Sequence, residues 1–95
     1  MFSADRSDEG TVLLNGRLDA ASARDAERVL DEVTGQCIID MRQLEYISSA
    51  GLGVLLRTHK RLLAEGGIQL VGVSPHIHDI FKYSGFDKLF SIETA

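Results

Sequence analysis

Apolar positions along this chain fall into blocks with two different periods. Cys37, Ile38, Ile39 and Met41 form a near-continuous run, the pattern of a strand buried on both faces as in parallel sheets. A short polar connection and two serines follow. Ala50-Gly51-Leu52-Gly53 then opens a segment in which Leu52, Leu55, Leu56, His59, Leu62 and Leu63 share one helical stripe. This predicts a helix over 49–65, ended by Gly66-Gly67. Earlier, Ala23, Ala26, Val29, Leu30 and Val33 recur three and four apart, predicting a one-sided helix over 20–33. Asp19 or Ser22 can serve as its N-cap and Gly35 as its terminator.

Residues 11–15 are a short β-rich run expected to pair with 2–6 across a polar turn at 7–10. Residues 68–73 read as another apolar strand. Ser74-Pro75 then supplies a hydroxyl cap and a proline at the first helical position, Ile77, Ile80 and Phe81 face inward, and Gly85 stops the helix. A last short strand falls at 89–92. The order β-β-α-β-α-β-α-β contains βαβ crossovers, which are right-handed in a mostly parallel sheet. The fold class is α/β: a mixed, mostly parallel β-sheet with amphipathic helices packed on one face, since a chain this short has little material for two layers.

Ninety-five residues predict a single domain over 1–95. With 44% hydrophobic and 25% charged residues, the composition is that of an ordinary globular chain. No apolar run approaches the ~20 residues a membrane-spanning helix needs, and the start, MFSADRSDEG, has no apolar signal region, so a cytoplasmic location without membrane insertion is expected. One cysteine leaves no intramolecular disulfide and fits a reducing compartment; Cys37 reads as a small core residue. A net charge of −4 argues against nucleic acid. Arg57, Lys60 and Arg61 cluster late in a predicted helix, where cations suit the negative dipole end, and they read as a solvated face without aromatic interleaving.

Catalytic and cofactor patterns are missing from the sequence. Gly51-Leu52-Gly53 lacks the third glycine of a dinucleotide loop, position 56 being Leu56, and Gly-Lys-Ser/Thr occurs nowhere. His76 and His78 lie two apart on a helix and point to different faces, so no metal or other cofactor is expected. Ser49 occupies a strand–turn–helix position, but Ser48-Ser49-Ala50-Gly51 is not G-x-S-x-G, and a serine hydrolase is not expected. Helix capping explains one of the two serines and leaves a second hydroxyl free. A hydroxyl at the exposed start of a helix meets unpaired N–H groups and the positive dipole end, where a phosphate is tolerated while adding about −1.5 to −2 charges. Asp19, at the end of an earlier strand, can share that surface if the first two helices are neighbours. Asp40 is expected to bond turn backbone.

Taken in order, these elements resemble the STAS family and, within it, the bacterial anti-anti-sigma factors. Gly16-Arg17-Leu18-Asp19 is similar to the family's Gly-x-Leu-Asp element, and Ile38-Ile39-Asp40-Met41 to its central strand. Tyr46-Ile47-Ser48-Ser49-Ala50-Gly51-Leu52-Gly53-Val54-Leu55 resembles the Asp-Ser-x-Gly-Leu-Gly signature. Gly66 to Val71, Ser74-Pro75 and Ser84-Gly85-Phe86 also match. The resemblance implies a STAS-like sheet with helices on one face and a partner surface at the second helix's start. It implies phosphorylation of Ser49 by an anti-sigma factor serine kinase, reversal by a metal-dependent serine phosphatase, and release of a sigma factor when the unphosphorylated protein binds the kinase. Asp19, Ser48, Ser49, Ala50, Gly51, Leu52 and Gly53 map to the partner-binding surface. Two residues depart from the pattern: Ser48 stands where the family usually has Asp, and Ala50 where a second hydroxyl is common. Many members also add a C-terminal helix beyond the position of Ile92. STAS domains serve as well as regulatory subunits of transporters and as parts of stress-sensing scaffolds, which is the alternative role.

Overall fold

Seven residues with strict alternation set the frame. In the computed structural model, which describes residues 1–94, strand β2 (Val12–Leu18) buries Val12, Leu14, Gly16 and Leu18 and turns Leu13, Asn15 and Arg17 to the other side. Strand β1 (Phe2–Arg6) pairs antiparallel with it, Ala4 opposite Leu14, across the expected turn. Strand β3 (Cys37–Asp40) lies parallel to β2 on its other edge, Val12 opposite Ile39. Cys37 and Ile39 are buried but Ile38 is only half-buried. The run reads as two-sided in sequence, yet helices cover only one of its faces.

The connection after β3 is not simply polar. It carries a further strand, β4 (Leu44–Ile47), which pairs parallel with the second half of β2 after a register break at Gly16. Thus β3 and β4 flank β2 in succession along one edge. Beyond them, β5 (Ile68–Val73) pairs with β3, and β6 (Ser91–Thr94) pairs with β5, all parallel. The sheet order is β1-β2-β3-β5-β6, with β4 beside β2. There are three parallel steps, β2 to β3 to β5 to β6, all in the same direction across the sheet. Right-handed connections then place all three helices on the same face.

Helix α1 (Ala23–Leu30) packs Ala26 and Leu30 inward. It is shorter than 20–33 because residues 19–22 are tied into a turn before the first helical residue. Helix α2 (Ser49–Arg61) buries Gly51, Leu52, Val54, Leu55 and Thr58, then gives way to a 3-10 turn at Leu63–Glu65. That tighter winding, with about 120° per residue, rotates Leu63 off the apolar stripe, and it is 62% exposed instead of buried. Helix α3 (Pro75–Ser84) starts and stops as its sequence predicts: the Ser74 hydroxyl accepts from the Ile77 N–H at 3.3 Å, and Gly85 closes it in the left-handed region at φ 79°. A 3-10 turn at Phe86–Lys88 delays β6 by two residues relative to 89–92.

Two of the three clustered cations are not merely a solvated face. Arg57 Nε meets Glu27 Oε2 at 2.9 Å, and Arg61 donates to the Leu30 and Val33 carbonyls at 2.7 and 3.1 Å. The guanidinium thereby ties the end of α2 to the last residue of α1 and the turn that follows it. The two helices are held side by side, so both begin at the same end of the sheet.

Candidate functional site

Parallel pairing brings the candidate residues together. Leu18 lies opposite Ile47, so the residues that follow, Asp19 and Ser48, leave the sheet side by side. The Ser48 N–H donates to the Leu18 carbonyl at 2.8 Å, fixing the start of α2 to the end of β2. Asp19 and the Ser48-Ser49 pair therefore occupy the same rim, at the C-terminal ends of neighbouring strands.

At the first of these strand ends Asp19 and Ser22 bond each other and the backbone around them. The Asp19 carboxylate accepts from the Ala21 and Ser22 N–H groups, each at 3.1 Å. The Ser22 hydroxyl accepts from the Asp19 N–H at 3.0 Å and lies 2.9 Å from the Arg17 carbonyl and 3.1 Å from the Asp19 carboxylate. Asp19 and Ser22, alternative caps in the sequence, form one reciprocal unit. The Ser22 hydroxyl first, then the Ser22 and Ala21 N–H donors and the nearby Arg17 charge, hold the Asp19 carboxyl below the usual carboxylate range, against the opposing effect of desolvation. It is an anion at neutral pH. The carboxylate also forms one wall of an open depression shared with Phe2, Arg17 and Asp25.

At the second strand end the two serines divide. Ser48 is the N-cap, in extended conformation, its hydroxyl accepting from the Gly51 N–H at a long 3.4 Å. Ser49 is the first helical residue; it is exposed, and its hydroxyl has no hydrogen-bond partner among the described residues. The first turn of α2 contains no acidic side chain. A negative group on Ser49 would thus enter the field of the helix start without a like charge on its own turn.

The small residues of this segment have separate uses. A Cβ on Gly51 would lie 2.7 Å from the Leu18 side chain and 2.9 Å from that of Ile47. Gly51 is therefore internal, the residue that lets α2 descend onto the end of β2. Leu52 is also turned inward, at 8% exposure. Gly53 is half-buried, and a Cβ there would approach only its own helix neighbour Arg57, at 3.3 Å. Of the seven candidate partner-binding residues, Asp19, Ser48, Ser49, Ala50 and Gly53 reach the surface; Gly51 and Leu52 support them from below.

Elsewhere the candidates stay apart. His76 is exposed and His78 half-buried on α3. His59 is half-buried, and its Nδ1 accepts the Ile68 N–H at 3.0 Å. Cys37 is fully buried, with its thiol pushed up to about 11 by burial, so it is inert as a nucleophile. Asp40 accepts from the Arg42 N–H at 3.0 Å, the turn role expected of it. Sequence reasoning missed one pair beside the site: the Arg17 guanidinium stacks over Tyr46, 4.5 Å from the ring centroid, on the helix-free side of the sheet. Their facing register depends on β4, which the sequence did not reveal.

A family model described as "Mlab, STAS domain" matches residues 2–92. The chain belongs to the STAS domain family. BtrV of Bordetella bronchiseptica is 34% identical over 87 residues, covering 86% of this chain and 75% of that protein. The anti-sigma F factor antagonist of Paenibacillus polymyxa is 31% identical over 87 residues, covering 85% and 74%. Among solved structures, an anti-sigma factor antagonist from Mycobacterium paratuberculosis superposes with a TM-score of 0.84 at 24% identity, covering 100% of this chain and 86% of that one. The Bacillus cell fate determinant SpoIIAA in its phosphorylated form gives 0.67 at 22%, covering 99% and 92%. STAS domains are regulatory modules, not catalysts, and this chain is one of them. No helix among the described residues is long and apolar enough to cross a membrane.

Proposed function

We propose that this STAS domain is an anti-sigma factor antagonist switched by phosphorylation of Ser49. Unphosphorylated, it binds an anti-sigma factor that is also a serine kinase and so frees a sigma factor; a metal-dependent serine phosphatase resets it. The observation that carries this reading is the division of labour at the start of α2, where Ser48 takes the cap and leaves the Ser49 hydroxyl exposed and unbonded. BtrV and the Paenibacillus protein, both described as anti-sigma factor antagonists, support the same role. Ser48 standing where the family usually has Asp leaves Asp19 as the anion of this rim. Ser49, Ala50 and Gly53 give the partner a surface low in side-chain bulk, and Asp19 offers a charge for a cation on the partner.

A phosphate on Ser49 gains local help from the helix start, so the fold survives it. The partner must then meet a new dianion, and a penalty of about 2.8 kcal/mol weakens binding a hundredfold. The test is incubation with the cognate anti-sigma factor kinase and ATP, followed by peptide mass spectrometry and binding titration. Phosphate on Ser49, tight binding by Ser49→Ala, weak binding by Ser49→Asp and retained phosphorylation of Ser48→Ala are expected. Phosphate on Ser48, or none, overturns the assignment.

A further inference from the structure

We propose that the end of the molecule opposite Ser49 is a self-complementary surface on which a second copy of this chain docks. Strands β2, β3, β5 and β6 are parallel, so their starts share one pole with the C-terminal ends of α2 and α3. On the β5–β6 side of that pole lie Lys60, Lys82 and Lys88, the three lysines of the chain. Leu63, Tyr83 and Leu89 lie with them, at 62%, 89% and 48% exposure; apart from Met1 they are the exposed large hydrophobics among the described residues. The segments carrying these six residues converge on Phe90, whose ring stands edge-on to His59, Phe81 and Phe86 at 5.2, 6.0 and 5.9 Å.

The β1–β2 side of the same pole has the opposite sign. The hairpin turn carries Asp8 and Glu9, and the turn after α1 carries Asp31 and Glu32, all exposed. Arg6 is the cation nearest the hairpin in sequence. Of the other charges at this pole, Arg61 is held by the Leu30 and Val33 carbonyls, Glu65 accepts the Gly35 N–H, Arg28 pairs with Asp25, and the half-buried Asp87 beside Lys88 is the one acid among the lysines. None of the four acids or three lysines takes part in an ion pair among the described residues. One pole thus has an acidic half and a half that is basic and apolar.

A two-fold axis through this pole sets each acidic half on the other copy's lysines, an isologous arrangement that closes at two subunits. The charges set orientation and rate, while Tyr83, Leu63 and Leu89 supply the apolar anchors. Both Ser49 hydroxyls stay free at the far ends, so the pairing stands whether or not Ser49 is a phosphate acceptor.

Sedimentation velocity of the full chain over a concentration series, at low and high salt, tests the proposal. A dimer that weakens with salt is expected. Lys82→Glu/Lys88→Glu and Asp31→Lys/Glu32→Lys should each weaken self-association at least tenfold while keeping native circular dichroism. Mixing these two charge-reversed chains should restore dimers, because both contacts of the mixed pair are again complementary. Tyr83→Ser/Leu89→Ser should weaken self-association without changing its salt dependence. A native chain that is monomeric at millimolar concentration, or charge-reversed chains that fail to pair with each other, overturns it.

Discussion

Two serines at adjacent strand ends have opposite fates. Ser22, before α1, is buried, and its hydroxyl is engaged with Asp19 and the Arg17 carbonyl. Ser49, opening α2, is exposed and bonded to nothing among the described residues. Both sit at helix starts beside the same rim, so location alone does not distinguish them. What does is where the local bonds fall: the Ser22 hydroxyl makes no cap bond to α1 but is locked to the Asp19 N–H and the Arg17 carbonyl, whereas Ser48 takes the cap of α2 and leaves Ser49 with nothing to hold. A hydroxyl available to another protein is one that the fold does not need.

Substitutions can break this contrast. Ser22→Ala should cost the most, about 2 kcal/mol, because it removes a buried hydroxyl from several partners; urea denaturation measures it, and a loss below about 0.5 kcal/mol would mean the unit is not structural. Gly51→Ala should cost about 1.5 kcal/mol by crowding Leu18 and Ile47, and would tilt α2 enough to shift amide resonances of both neighbours. Ser48→Ala should cost only about 0.5 kcal/mol, since its capping bond is long. A smaller effect confined to acid is expected of Asp19. Its folded carboxyl titrates below the ordinary value of 3.8, so the stability it adds is complete above that value and is lost as pH falls through the folded one. Asp19→Asn should therefore flatten the acid side of the stability profile measured by denaturant titration between pH 2 and 7. Smallest of all, Ser49→Ala should leave stability within about 0.5 kcal/mol of the parent, and a larger loss would show the hydroxyl to be structural after all.

Legibility followed the range of the forces involved. The α3 boundaries were readable because Ser74, Pro75 and Gly85 act on their own turns, and β5 because Gly66-Gly67 and Ser74 bracket a mostly apolar run. Strand β4 was not, since four residues with Glu45 among them become a strand only through pairing with β2. Leu63 was misplaced because helical periodicity cannot announce where winding tightens. At the site, two adjacent serines told of a spare hydroxyl, and Asp19 and Ser22 were both visible as caps. Their reciprocity was not, nor was the reach of Arg57 and Arg61 across to α1, which depends on two helices lying side by side.

The strand order has a consequence for how the chain acquires its shape. Apart from the detour of β4, each strand pairs with the one before it along the sheet, so β2, β3, β5 and β6 can be added one after another. No strand waits for a partner made later to be inserted between two already joined. During synthesis, each new crossover finds its template already outside the ribosome, which keeps loop-closure costs low and shortens the time that bare strand edges are open to aggregation. The last strand, β6, then has the fewest dependants, so hydrogen exchange should show it opening first and the β2–β3 ladder last.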